Sequence, residues 1–299
     1  LEKAEASYRQ AITFKPDFAE AHSNLGNTLK ELERFDDALE SYTQAIAFKP
    51  DFAEAYVNLG LAIKKVKFNS SNRKLYPLLL QLLTGGFTHP RVVVRSILSL
   101  LKHDPLIKNL LLKYNFAMNL KEVISIIETL DKQILLHHIM RVCPLPDLQF
   151  EGLFASIRRL LLKNLNKIEK SPELIYFLST LCLHCFTNEY VYFESDEEAS
   201  LVDELEKEIA ETFAQLKQPE VNKVLCLATY RPIHKFDWCQ KLQVLDHLKD
   251  VKKRLIDEPI AEKMIGKDIA ILEEISDGVS LKVRAQYEEN PYPRWVNLG

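Results

Sequence analysis

Glycine is scarce in this chain: eight occur in 299 residues, at 26, 60, 85, 86, 152, 266, 278 and 299, and no two stand as Gly-x-Gly. A phosphate or dinucleotide cradle needs glycines at such spacing so that main-chain N–H groups can close on the ligand. That class of site is excluded. Basic residues are in no excess either, 39 against 42 acidic, for a net charge of -3. A nucleic-acid partner is therefore not expected, because its affinity would come from neutralised phosphates. No apolar run reaches the roughly 18 residues that a membrane span requires, and the first residues lack the charged-then-apolar pattern of a secretion signal. The five cysteines, at 143, 182, 185, 226 and 239, are an odd number and point to reduced thiols and a cytoplasmic location. With no initiator Met, the chain reads as a piece cut at both ends.

What is present is a repeat. Phe14 to Gly26 reads FKPDFAEAHSNLG and Phe48 to Gly60 reads FKPDFAEAYVNLG, displaced by 34 residues. That period marks a helix–turn–helix unit of the tetratricopeptide (TPR) type. In the unit framed as Ala19 to Phe52, Leu25, Gly26 and Leu29 line a first helix, Gly26 allowing close approach of its partner. Ala38, Tyr42 and Ala45 line a second, which Pro50 stops. Ala4, Tyr8, Ala11 and Pro16 repeat the second helix one period earlier, and Tyr56, Leu59, Gly60 and Ile63 repeat the first one period later. Asn72 and Thr84 stand where the next Ala and Pro would fall, so the pattern ends by about Lys67. One whole unit flanked by two half units occupies residues 1–68. About three repeats make a stable stack, so further repeats upstream are expected.

Asn24 and Asn58 precede the two Leu-Gly pairs. In this respect the units resemble the repeats of O-GlcNAc transferases, where such asparagines form a ladder that holds a peptide backbone. A carboxamide offers a donor and an acceptor to one peptide unit at once; alternatively the two side chains tie a turn or face water. Helical spacing places Asn27, Lys30, Lys64 and Lys65 on the same inner face. A protein or peptide is the expected partner there.

From Leu75 to about Ile275 apolar stripes at three- and four-residue spacing, such as Leu153, Ile157, Leu160, Leu161 and Leu165, predict one amphipathic helix after another. Gly85-Gly86 should end a helix. Asp104-Pro105 and Ser171-Pro172 each set a capping oxygen before a proline suited to the first turn. Asn119 with Glu122 should form a capping box. Pro144 and Pro146 break the chain, and Pro219, Pro232 and Pro259 mark later boundaries. Val224 to Ala228 is the one strand-like run, and its context favours helix. The fold expected is all-α, a TPR superhelix over 1–68 followed by a helical linker domain over 69–278.

Several polar groups invite functional readings against plainer ones. Cys182-x-x-Cys185 with His184 has zinc-like spacing, but its apolar surroundings favour thiols packed as small hydrophobes, and no metal is expected. His137 and His138 read as one packed and one exposed ring without a catalytic partner. Glu194, Asp196, Glu197 and Glu198 precede a helix, where they favour its dipole. His234, Trp238 and Cys239 belong either to an interface or to the core.

The C-terminal stretch from Ser280, SLKVRAQYEENPYPRW, predicts a helix up to Asn290, which Pro291 pushes out of helical conformation, and then a stiff tail. This motif, with LSLLKHDPLIK, MRVCPLPDLQFEGLF and ESDEE upstream, resembles the region before the catalytic domain of bacterial TPR-containing class I methyltransferases. The likeness spans about Ser71 to Trp295. It implies that residues 279–299 lead into a methyltransferase domain, that the parent protein binds S-adenosylmethionine while this piece holds no cofactor, and that Tyr287, Asn290, Pro291, Tyr292, Arg294 and Trp295 form the junction. Those side chains either meet that domain or anchor the linker to its own helices. No catalytic residue is expected within the 299. The reading is a non-catalytic scaffold presenting a protein or peptide to a methyltransferase. The alternative is a TPR adaptor with no enzymatic activity, and a glycosyltransferase arm is a third reading.

Overall fold

The structure, a computed structural model, describes residues 1–113 and 119–268, and among them there is helix and no strand. The repeat region forms α1 (Glu2–Phe14), α2 (Ala19–Glu31), α3 (Phe35–Phe48) and α4 (Ala53–Ile63). The middle region follows as α5 (Tyr76–Thr84), α6 (Pro90–Lys102), α7 (Pro105–Lys113), α8 (Leu120–Asp131), α9 (Ile134–Val142), α10 (Leu148–Lys163) and α11 (Pro172–Thr187). α12 (Asp196–Ala214), α13 (Val221–Ala228), α14 (Lys249–Lys252) and α15 (Glu258–Asp268) complete it. Their buried apolar side chains form one continuous cluster running from Leu25 to Ile256.

The α2–α3 pair closes through a small-for-large contact. Tyr42 on α3 lies over Gly26 on α2, so close that a Cβ there would meet Cε1 of the ring at 2.7 Å. Gly60 on α4 has the same opportunity but no second repeat helix to use it. Thr88 fills the gap instead, at 3.1 Å from the position a Cβ would take, and Phe87 stacks on Tyr56 with ring centres 4.5 Å apart. The turn between α5 and α6 thus completes the last half repeat, and the middle region continues the apolar core without a break.

The punctuation acts largely as its chemistry requires. Gly86, with φ 68°, turns the chain out of α5. Ser171 Oγ accepts from the Leu174 N–H, and Asn119 with Glu122 closes a full capping box. Asp104 caps α7 through the Leu106 N–H at 2.9 Å while Arg73 grips its two oxygens at 2.6 and 2.8 Å. Val224 lies within a helix, α13. Pro259 departs from expectation. Instead of marking a boundary it sits in continuous helix, immediately after a π-helical turn at Lys253–Asp257. Proline lacks an N–H and its ring crowds the carbonyl four residues back. Widening that turn accommodates both defects without ending the helix.

Candidate functional site

The repeat face begins with α2 packed against both α3 and α4. Asn24 and Asn58 occupy equivalent positions on α2 and α4; Asn24 is exposed and Asn58 half-buried. Asn27 is committed in part, because its Oδ1 accepts the Tyr42 hydroxyl at 2.8 Å. Burial, with Glu31 and Glu54 nearby, pushes that phenol up, so it remains a neutral donor. Lys30 is half-buried, 3.9 Å from Glu31. Lys64 follows the last residue of α4 as its C-cap and is exposed.

Lys65 lies beyond the end of α4. It lines a polar recess with Arg34, Asp36, Asp37 and Lys67, at the turn between α2 and α3. The structure therefore groups Asn24, Asn27, Asn58 and Lys30 along two neighbouring helices and sets Lys65 at the loop edge. Periodicity alone could not separate these, since it assumes that α4 continues past Ile63.

Two apolar members of the face escaped the sequence reading. Val57 and Leu61 on α4 are 43% and 41% exposed, whereas Ser23, the counterpart of Val57 on α2, is 2% exposed. Aligning the units at 34 residues would have shown that Ser23 and Asn27 give way to Val57 and Leu61. Glu54, three residues before Val57, is exposed, and its counterpart Glu20 pairs with Lys49 at 3.0 Å. An exposed pair of this kind fixes little energy. The two helices thus carry carboxamides, two exposed apolar side chains and charges of both signs.

Most of the other groups singled out in the sequence are buried. His137 on α9 and His184 on α11 are each 1% exposed and tie those two helices together. Nε2–H of His137 donates to the Leu130 carbonyl at 3.0 Å, leaving Nδ1 to accept the Thr180 hydroxyl. His184 uses the opposite tautomer: Nδ1–H donates to the Met140 carbonyl at 3.0 Å and Nε2 accepts from Tyr192 at 2.8 Å. Burial lowers both to about 4. His138 is half-buried, not exposed, and burial lowers it too, with Arg141 adding to the effect.

Cys182 and Cys185 lie inside α11, and burial raises both thiols. Among the described residues no three His, Cys, Asp or Glu side chains group as metal ligands. Ser195 and Glu198 form a capping box, but Glu198 is also fully buried, bonded by Tyr230 at 2.9 Å and Arg159 at 3.2 Å. Burial raises its carboxyl, and the bonds from Ser195, Tyr230 and Arg159 outweigh that and hold it low. Glu194 pairs with Arg231 rather than with the helix end. Trp238 is buried between Phe213 and Phe236, in the core.

Tyr287, Asn290, Pro291, Tyr292, Arg294 and Trp295 lie outside the described residues. No helix among the described residues is long and apolar enough to cross a membrane. No curated protein matches the chain. Residues 1–33 and 26–66 match the family model of the TPR repeat, so the N-terminal part of this all-helical chain consists of TPR repeats.

Proposed function

We propose that this chain is a non-catalytic helical scaffold whose TPR face captures a protein or peptide segment for a methyltransferase domain farther along the parent polypeptide. The observation that carries the capture half is the equivalence of Asn24 and Asn58. Two carboxamides one repeat apart on adjacent helices can each serve a peptide unit of one extended strand, and Val57 and Leu61 beside them receive apolar side chains. TPR repeats serve as protein interaction scaffolds, which supports the same reading. The methyltransferase half is supported by the YEENPYPRW motif and by the likeness of the middle region. A separate capture arm suits methyl transfer, which needs acceptor and donor held in line more than it needs reactive side chains.

Panning a random peptide library on the native chain and on the Asn24→Ala/Asn58→Ala variant tests capture. Binding peptides should lose affinity for the variant with helicity unchanged, and equal binding removes the asparagine ladder. For the second half, the gene beyond Gly299 should encode a strand followed by a Gly-x-Gly loop. A stop codon or an unrelated domain there would leave an adaptor.

A further inference from the structure

The segment between α11 and α12 holds two large apolar side chains in water on a rigid support. Val191 is 68% exposed and Phe193 72%, while Tyr192 between them is buried. Three attachments hold the segment in place. Tyr192 donates its hydroxyl to Nε2 of His184 at 2.8 Å. Arg158, itself buried, donates to the Phe193 carbonyl at 3.0 Å. Arg231 grips the two oxygens of Glu194 at 2.6 and 2.7 Å. An aromatic side chain carried on a main chain that is already fixed buries apolar area on docking with little further ordering of the loop, which are the properties of an interface anchor.

The surroundings specify the charge of what docks. α12 begins three residues after Phe193 and carries eight carboxylates against one lysine; of the eight, Glu197, Glu198 and Glu208 are already paired with Lys163, Arg159 and Lys223. Glu194, Asp203 and Glu206 all act on the Arg231 guanidinium, which places these carboxylates beside the loop. Asp196 and Asp203 are exposed.

We infer that Val191 and Phe193 form a second docking surface, separate from the TPR face, for a basic amphipathic helix of a partner protein. Its apolar side chains cover Phe193 and Val191, and its Lys or Arg side chains reach Asp196, Asp203 and Glu206. Charge disfavours the other occupants. Residues 269–299 carry five acidic and three basic side chains, and a second copy facing the first would oppose one α12 with another.

The probe is a labelled helical peptide with leucine along one face and lysine along the other, followed by fluorescence anisotropy. Binding should weaken as salt rises, and Phe193→Asp should weaken it about tenfold or more. Asp203→Lys/Glu206→Lys should weaken it and flatten the salt dependence. Phe193 and Asp203 are exposed and Glu206 is half-buried, so the circular dichroism spectrum should be unchanged, and Asn24→Ala/Asn58→Ala leaves this binding intact, which separates it from the TPR face. Three outcomes overturn the inference. The first is equal binding by Phe193→Asp. The second is equal binding of a peptide with glutamate in place of lysine. The third comes from an environment-sensitive dye on Phe193→Cys: shielded emission before any peptide is added would show that the surface is already covered by this chain or a second copy.

Discussion

Tyr42 occupies the space that a side chain at Gly26 would need: a Cβ there would lie 2.7 to 2.9 Å from three of its ring atoms. Tyr42 is fully buried and cannot swing out without breaking its bond to Asn27. Gly26→Ala should therefore cost about 1–3 kcal/mol, the usual range for overpacking a filled core. At Gly60 the nearest atoms belong to Thr88, at 3.1 to 3.5 Å, so Gly60→Ala should cost less. Urea midpoints of the two variants check the order, and a larger loss at Gly60 would contradict the geometry.

The repeat was legible because the two units differ at so few positions that matching residues had to occupy matching places. Leu25, Gly26, Ala38 and Tyr42 went where the period put them. What Gly60 packs on was not legible, since the pattern has lapsed and Thr88 reaches it from a turn in a different register. Arg158 was equally hidden. It stands beside Arg159 in a helix, as surface charges do, and the chain shows nothing of the two carbonyls and two tyrosine rings that receive it. Pro259 misled for the opposite reason: the rule that prolines end helices leaves out the wider turn that absorbs one. Of the candidate face, the asparagines were visible through their neighbours Leu-Gly, whereas Val57 and Leu61 look like core residues until their exposure is measured.

His137 and His184 set a pH limit on stability. Both are lowered by burial from the ordinary 6.5 to about 4 in the fold. Between those values the unfolded chain binds protons that the folded chain refuses, so stability is level above about pH 7 and falls as pH drops from 6.5 to 4. Each ring accounts for a loss on the order of 3 kcal/mol by the lower limit. Urea midpoints measured across this window should decline, and His137→Gln should flatten part of the decline while lowering stability at pH 7. An unchanged slope in the variant would mean that His137 is not held neutral.

All five cysteines are buried and unpaired. Burial raises Cys143, Cys185 and Cys226 to about 12, far from the thiolate form that reacts. A disulfide-exchange reagent at pH 8 should find no fast thiol in the native chain and five in denaturant. A fast native thiol would show that one of these pockets opens.

Asp104 and Arg73 divide their ion pair unequally. The Asp104 side chain is 0% exposed and that of Arg73 is 54% exposed. Burial pushes the Asp104 carboxyl up, and the bonds from Arg73, the Leu106 N–H and Tyr76 outweigh it and hold it low. Removing the arginine leaves two of those bonds and opens the carboxylate to water, so Arg73→Ala should cost roughly 1 kcal/mol or less. Asp104→Ala strips the α7 cap and leaves the Tyr76 hydroxyl without its acceptor, for a loss of about 2–4 kcal/mol. Equal losses at the two positions, read from urea midpoints, would contradict this division.

Arg158 joins parts of the chain that are far apart in sequence. It donates to the Thr229 carbonyl at 3.1 Å and to the Phe193 carbonyl at 3.0 Å, and its guanidinium lies 3.9 Å from the centre of the Tyr230 ring and 5.6 Å from that of Tyr192. Burying a cation is costly, and the two carbonyls and two aromatic faces offset that cost only while all are in place. Arg158→Met keeps most of the volume but leaves both carbonyls without donors, at about 1–3 kcal/mol each. The variant should lose stability by that sum and should also free the loop at Phe193, so that chymotrypsin cleaves there faster than in the native chain. Slower or equal cleavage, with stability reduced, would mean that Tyr192 and Glu194 hold the loop without help from Arg158.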